Sequence, residues 1–158
     1  MDRRYPEHPE VIDCPDDLDG YVAATHHPHS ISANAFELRD RQTDEPLSQP
    51  EVHVSRSIST QDRGILWGII GLLEMSGENS RLDLYTTSEN VVKSLRGEYQ
   101  RSKNLELLEE IFRITSKKKI SVEPYYVTAA QPRRSVVVEK LRLLAKAARD
   151  EWLKRNPG

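Results

Sequence analysis

The sequence predicts a single mixed α/β domain, and three observations carry that expectation. Three short segments with strand character follow one another before any helical periodicity begins. Two later strand-like segments are each reached through a helical pattern, which makes parallel pairing available. The chain has 158 residues, 37% hydrophobic and 30% charged, enough for one core of ordinary size. Together these give a five-stranded mixed sheet, an antiparallel meander plus two strands reached through helices, flanked by helices.

Residues 1–19 are rich in Pro, Asp and Glu. Such a segment buries too little apolar surface to offset its ordering entropy, so it is read as an acidic, flexible tail, with the domain spanning 20–158. The first strand is expected at 20–25 (GYVAAT). The second is expected at 33–39 (ANAFELR), alternating Ala33, Ala35 and Glu37 against Asn34, Phe36 and Leu38. The third is expected at 51–57 (EVHVSRS), with Val52 and Val54 separated by His53. A polar turn, 40–50, joins the last two.

Residues 59–75 read as a helix. Ser59 opens a Ser-x-x-Asp pattern with Asp62, the signature of a capping box. Ile65, Leu66, Ile69, Ile70, Leu72 and Leu73 form a wide apolar surface, interrupted by Gly64, Gly68 and Gly71. Each glycine costs up to about 1 kcal/mol of helix propensity, so close packing against a sheet is expected to compensate. A fourth strand follows at 81–86 (RLDLYT), then a short helix at 88–95 capped by Thr87 or Ser88. A helix at 104–117 has Asn104 as N-cap and Leu105, Leu108, Ile111, Phe112 and Thr115 on one face. The fifth strand, 120–127, contains Pro124, which marks an edge or a bulge. The last helix lies within 132–154, with Val137, Leu141, Leu144, Ala148 and Trp152 along one face.

Charge is unevenly spread. Residues 1–50 carry eleven acids against four Lys/Arg, a balance of −7, and residues 132–158 carry eight Lys/Arg against three acids, a balance of +5. The basic end suggests a surface for phosphate, or a solvated face drawn toward the acidic end. No apolar run approaches the roughly 20 residues of a membrane span. Met1-Asp2-Arg3-Arg4 runs into prolines and acids, so no secretory leader is expected. The single cysteine, Cys14, leaves no internal disulfide or cysteine-built zinc site. An intracellular location follows as an expectation, nucleus and cytoplasm alike.

The order of elements, with these lengths, resembles ribonuclease H from about Gly20 to Trp152. The stretches that carry the resemblance are YVAATHHP, STQDRGILWGIIGLLE, LYTTSENVVKSL, VEPYYVTAAQ and VVVEKLRLLAKAA. The resemblance implies an enzyme that cuts the RNA of an RNA–DNA hybrid, using four acids to hold two magnesium ions that clamp the attacking water and the leaving oxygen. Aligned by eye, the first-strand acid falls on His26, the first-helix acid on Ile65, the acid after the fourth strand on Thr87, and the last-helix acid near Arg142. The histidine that assists product release falls near Ala130. None of the five residue types is kept. Imidazole, sec-butyl and guanidinium groups do not ligate magnesium, and Arg142 would repel it by about 1–4 kcal/mol at ~4 Å.

Other constellations are weaker. His26-His27-Pro28-His29, with His8, His53 or Cys14, lacks the spacing of a structural zinc site and reads as a solvated turn. Asp62, Asp83, Glu89 and Glu123 could form a relocated carboxylate group, and a nuclease rebuilt around Asp83, His26 and Glu89 stays open as an alternative. No phosphate-cradling glycine loop and no nucleophile elbow is present.

The reading is a catalytically inactive domain resembling ribonuclease H, with no cofactor and no evident small-molecule substrate. It would act as a protein-interaction or scaffolding module, possible as a dimer or within a nucleoprotein assembly, much as the connection subdomains of retroelement reverse transcriptases do. The alternative is non-catalytic binding of RNA or RNA–DNA hybrid through Arg133, Arg134, Lys140, Arg142 and Lys146 on the last helix.

Overall fold

The computed structural model describes residues 14–26, 31–58, 60–98 and 104–156, with 26 and 56–58 described by their backbone alone. The order of elements is β1 (Asp17–His26), β2 (Ile31–Asp40), β3 (Glu51–Ile58), α1 (Gln61–Met75), β4 (Arg81–Thr86), α2 (Glu89–Leu95), α3 (Leu105–Lys118), β5 (Ser121–Tyr126) and α4 (Pro132–Arg155). They form one five-stranded sheet in the order β3-β2-β1-β4-β5. β1, β2 and β3 are an antiparallel meander, and β4 and β5 extend it in parallel. The expected α/β class and sheet are what the chain forms.

β1 begins at Asp17, three residues before the expected start, so Asp17, Leu18 and Asp19 belong to the sheet and not to a tail. The reason is pairing: Leu18 lies opposite Asp40 on one side and Leu82 on the other. Leu18 and Asp19 are both buried. Residues 1–13, the bulk of the expected tail, lie outside the described residues.

α1 covers one face of the sheet and is itself covered by α3. This burial on several sides explains its apolar girth: every residue from Gly64 to Leu73 is buried. The glycines set the approach distance. A Cβ built at Gly68 would collide with a Val22 methyl, and one at Gly71 with the Phe36 ring. The N-cap is Thr60 rather than Ser59; its Oγ1 accepts from the Arg63 amide at 3.2 Å. Ser59, the expected start of a capping box, lies outside the described residues. Asp62 accepts from the hydroxyl of Ser88, at 2.7 Å, which joins the starts of α1 and α2. At the other end the Lys118 ammonium donates to the Leu73 and Glu74 carbonyls, so a cation from α3 closes the C-terminus of α1.

Two helix faces differ from expectation. In α3 the buried residues are Leu107, Leu108, Ile111 and Ile114, while Leu105 and Phe112 are exposed. Asn104 precedes α3 in a left-handed conformation and makes no side-chain cap. Its amide oxygen accepts from Arg63 instead. In α4 the buried residues are Val137, Val138, Leu141, Ala145 and Arg149, and Leu144 is exposed. The inward face is rotated by about one residue from the one expected. Arg149 belongs to that face, its guanidinium donating to Thr25 at 3.2 Å and to Asp150 at 3.1 Å.

Pro124 sits in β5, an edge strand as expected. The Pro124 carbonyl accepts from Arg96 at 2.7 Å.

Candidate functional site

The positions singled out by sequence are distributed over both faces of the sheet. Ile65 is fully buried in the hydrocarbon layer under α1. Thr87 is exposed immediately after β4, and the N-cap of α2 is Ser88, whose Oγ accepts from the Val91 amide at 3.2 Å. Ala130 is exposed in the turn before α4.

His26 is not beside Thr87. The last paired residues of β1 and β4 are Tyr21 and Tyr85, so the same register carried two residues further brings Ala23 alongside Thr87. His26 pairs with Ser32 farther along β1. Arg142 is likewise misplaced. It points outward from α4 and pairs with Glu139 at 2.6 Å. The α4 residues that pack on this face are Val137, Val138, Leu141 and Ala145, in one cluster with Ala23, Val127 and Tyr85. The correction in register therefore replaces imidazole and guanidinium by methyl and isopropyl groups.

His26 and Asp83 are also far apart. Asp83 pairs with Asp19, seven positions along β1 from His26, which at ~3.3 Å per residue is over about 20 Å. Glu89 lies 3.8 Å from Lys93, one turn along α2. His53 stacks on Phe36, with ring centroids 5.6 Å apart, and the Gly77 amide donates to the Cys14 sulfur. Among the described residues no three His, Cys, Asp or Glu side chains are placed to hold a metal ion.

The α4 face carries instead a network that sequence reasoning missed. Tyr21, Tyr85 and Tyr125 stack across three adjacent strands, with ring centroids 5.1 and 5.2 Å apart. The Arg134 guanidinium lies over the Tyr85 ring at 3.8 Å, donates to the Tyr21 hydroxyl at 2.7 Å and stands 3.6 Å from Asp19. Asp19 is 1% exposed. Arg41 ties it at 3.3 Å and reaches Asp83 at 3.2 Å. Burial pushes the Tyr21 and Tyr85 hydroxyls and the Asp83 carboxyl above their usual ranges, and the Asp19 carboxylate adds to each shift. The signal was present in the sequence as Asp-Gly-Tyr, Asp-Leu-Tyr and Glu-Pro-Tyr at 19–21, 83–85 and 123–125. The first copy straddles the boundary drawn after residue 19, so its Asp19 was read with the tail and its Tyr21 with the strand.

The expected basic surface is largely neutralised from within. Arg133 pairs with Asp44 at 3.1 Å, Arg134 is engaged as above, Lys140 lies 3.5 Å from the buried Glu37, and Lys146 lies 3.1 Å from Asp150. With the Arg142–Glu139 pair, each of the five cations has a carboxylate within ion-pair distance. Hydrogen bonding to Asp44 and Glu139 raises the affinity of Arg133 and Arg142 for their protons further. No helix among the described residues is long and apolar enough to cross a membrane.

No protein-family model and no curated protein matches the chain. Solved structures do. The N-terminal RNase H domain of Rv2228c from Mycobacterium tuberculosis, solved as a fusion with maltose-binding protein, is 12% identical, with a TM-score of 0.68 over 87% of this chain and 98% of that one. RNase H1 from the halophilic archaeon Halobacterium salinarum is 13% identical, with a TM-score of 0.67 over 84% of this chain and 98% of that one. LC11-RNase H1 in complex with an RNA/DNA hybrid is 14% identical, with a TM-score of 0.67 over 86% and 99%. At such identities the likeness speaks to architecture, and on it this chain has the ribonuclease H-like fold.

Proposed function

We propose that this chain is a non-catalytic ribonuclease H-like domain that works as a protein-recognition module. One observation carries the reading. Ala23, Val127 and Val138 share the buried cluster under α4, Thr87 is exposed just after β4, and Ile65 is buried in the hydrocarbon cluster on the other face. Two hard cations need several water-accessible oxygen ligands. Methyl, isopropyl and sec-butyl groups supply none, and a lone hydroxyl does not replace a carboxylate. The internal pairing of the α4 cations supports recognition of protein over phosphate, because an arginine already held by a carboxylate releases fewer counterions on meeting a nucleic acid.

The test is an RNA–DNA hybrid labelled on its RNA strand, incubated with the full chain in magnesium and in manganese. The expected result is no cleavage above the protein-free blank. Metal-dependent cleavage that Asp83→Asn abolishes would overturn the reading in favour of a rebuilt nuclease. Salt-sensitive hybrid binding without cleavage would favour the nucleic-acid alternative carried by Arg133, Arg134, Lys140, Arg142 and Lys146.

A further inference from the structure

One local pattern, an acid followed two residues later by a tyrosine, recurs on three neighbouring parallel strands. The register lines the copies up: Asp19 beside Asp83 beside Glu123, and Tyr21 beside Tyr85 beside Tyr125. Each copy is a rung made of a carboxylate and a ring face. Two of the rungs are filled by the chain itself. Arg134 stacks on Tyr85 and approaches Asp19, and Arg41 bridges Asp19 and Asp83.

The third rung lies beyond the helix. α4 packs over β1, β2 and β3 and barely touches β4. Tyr125 is 36% exposed. The Glu123 side chain is 57% exposed, with Arg96 at 3.8 Å; that guanidinium already donates to the Pro124 carbonyl. An exposed pair at this distance is weak and exchangeable. Asp83, next in the row, is partly exposed.

We propose that the Glu123–Tyr125 rung receives an arginine side chain from a protein partner, its guanidinium stacked on Tyr125 and paired with Glu123. The inference rests on the protein-recognition reading and names the chemistry of the partner. The precedent is internal: one strand away Arg134 stacks on Tyr85 and pairs with a carboxylate of the same row, there Asp19 of the adjoining strand. Planarity selects arginine over lysine, because a guanidinium stacks on a ring and pairs with a carboxylate at once and is less strongly hydrated than an ammonium. Glu123, exposed and only loosely paired with Arg96, selects against phosphate, since a nucleobase stacking on Tyr125 would bring its backbone toward that carboxylate.

Fluorescence anisotropy of the full chain with labelled nona-arginine, nona-lysine and oligouridine, at about 150 mM salt, tests this. Nona-arginine is expected to bind about fivefold or more tightly than nona-lysine. Tyr125→Ala should erase that preference, Tyr125→Phe should keep it, and Glu123→Gln should weaken nona-arginine by about threefold. Equal affinity for the two peptides would overturn the inference. So would an arginine preference that survives Tyr125→Ala, or oligouridine binding that Tyr125→Ala removes. Should Tyr125→Ala lower the melting temperature, the ring resonances of the unaltered chain decide: they should move with nona-arginine, and a spectrum that stays still overturns the proposal. Equal peptide affinities would leave the functional reading standing, whereas hybrid cleavage would sink that reading with the peptide preference still measurable.

Discussion

The two faces of the sheet are built by opposite means. Under α1 the interface is mostly hydrocarbon, from Leu18 and Val22 through Phe36 and Leu38 to Ile69 and Leu72, with Ser32 and Asn34 as buried polar exceptions, and glycines let the helix approach the strands. Under α4 the hydrocarbon is a smaller patch, bordered by Asp19, Glu37, Arg134 and the tyrosine stack. The first face gains from area removed from water. The second commits several charges to defined partners at little net gain, because burying ions offsets much of their attraction. The lesson is a division of labour: one face holds the domain together, and the other fixes which groups are presented and where.

Substitutions can break this contrast. Leu72→Ala, fully buried under α1, is expected to cost about 3 kcal/mol in urea unfolding. A loss below about 1 kcal/mol would mean that face is loosely packed. Gly71→Ala should cost about 2 kcal/mol through collision with Phe36, net of the helix propensity that alanine regains. On the other face Asp19→Asn should cost about 1–2 kcal/mol, discounted because its partners Arg41 and Arg134 are 32% and 27% exposed. A cost as large as that of Leu72→Ala would erase the distinction. Arg142→Glu with Lys146→Glu should change stability by no more than about 1 kcal/mol, and hybrid retention on a filter should stay as it was. A fall in retention would restore α4 as a phosphate surface.

The smallest expected effect concerns pH. The Arg63 guanidinium, 2.6 Å away, holds the Glu106 carboxyl below the usual range. Its contribution is present in full above the ordinary glutamate range and is lost as pH falls through that range toward the lower folded value. Glu106→Gln should therefore lower stability slightly at neutral pH and leave acid pH almost unchanged, which flattens the acid limb of a stability–pH curve.

The hydrocarbon face was the legible one. Period-two strands and the broad apolar surface of α1 show in the sequence because burial selects residue type directly, and the element order followed from them. The α4 face was not, for a different reason at each residue. Asp19 was counted with an acidic tail, since nothing local says that a carboxylate will be buried against two arginines contributed from residues 41 and 134. Arg149 was counted as surface charge, whereas it is buried on the inward face of the helix and donates to Thr25. The site positions suffered from register. His26 and Arg142 were chosen by counting along the chain, whereas strand pairing and helix rotation place Ala23 and Val138 at that point.

The outer margin of β5 has a consequence for assembly. Pro124 offers no amide hydrogen there, and Arg96 already occupies its own carbonyl. A visiting strand would find neither donor nor acceptor midway along this border, so continuation of the sheet into another molecule is obstructed. Whatever docks beside Tyr125 must do so through its side chains, in a contact that ends with that one visitor and does not propagate.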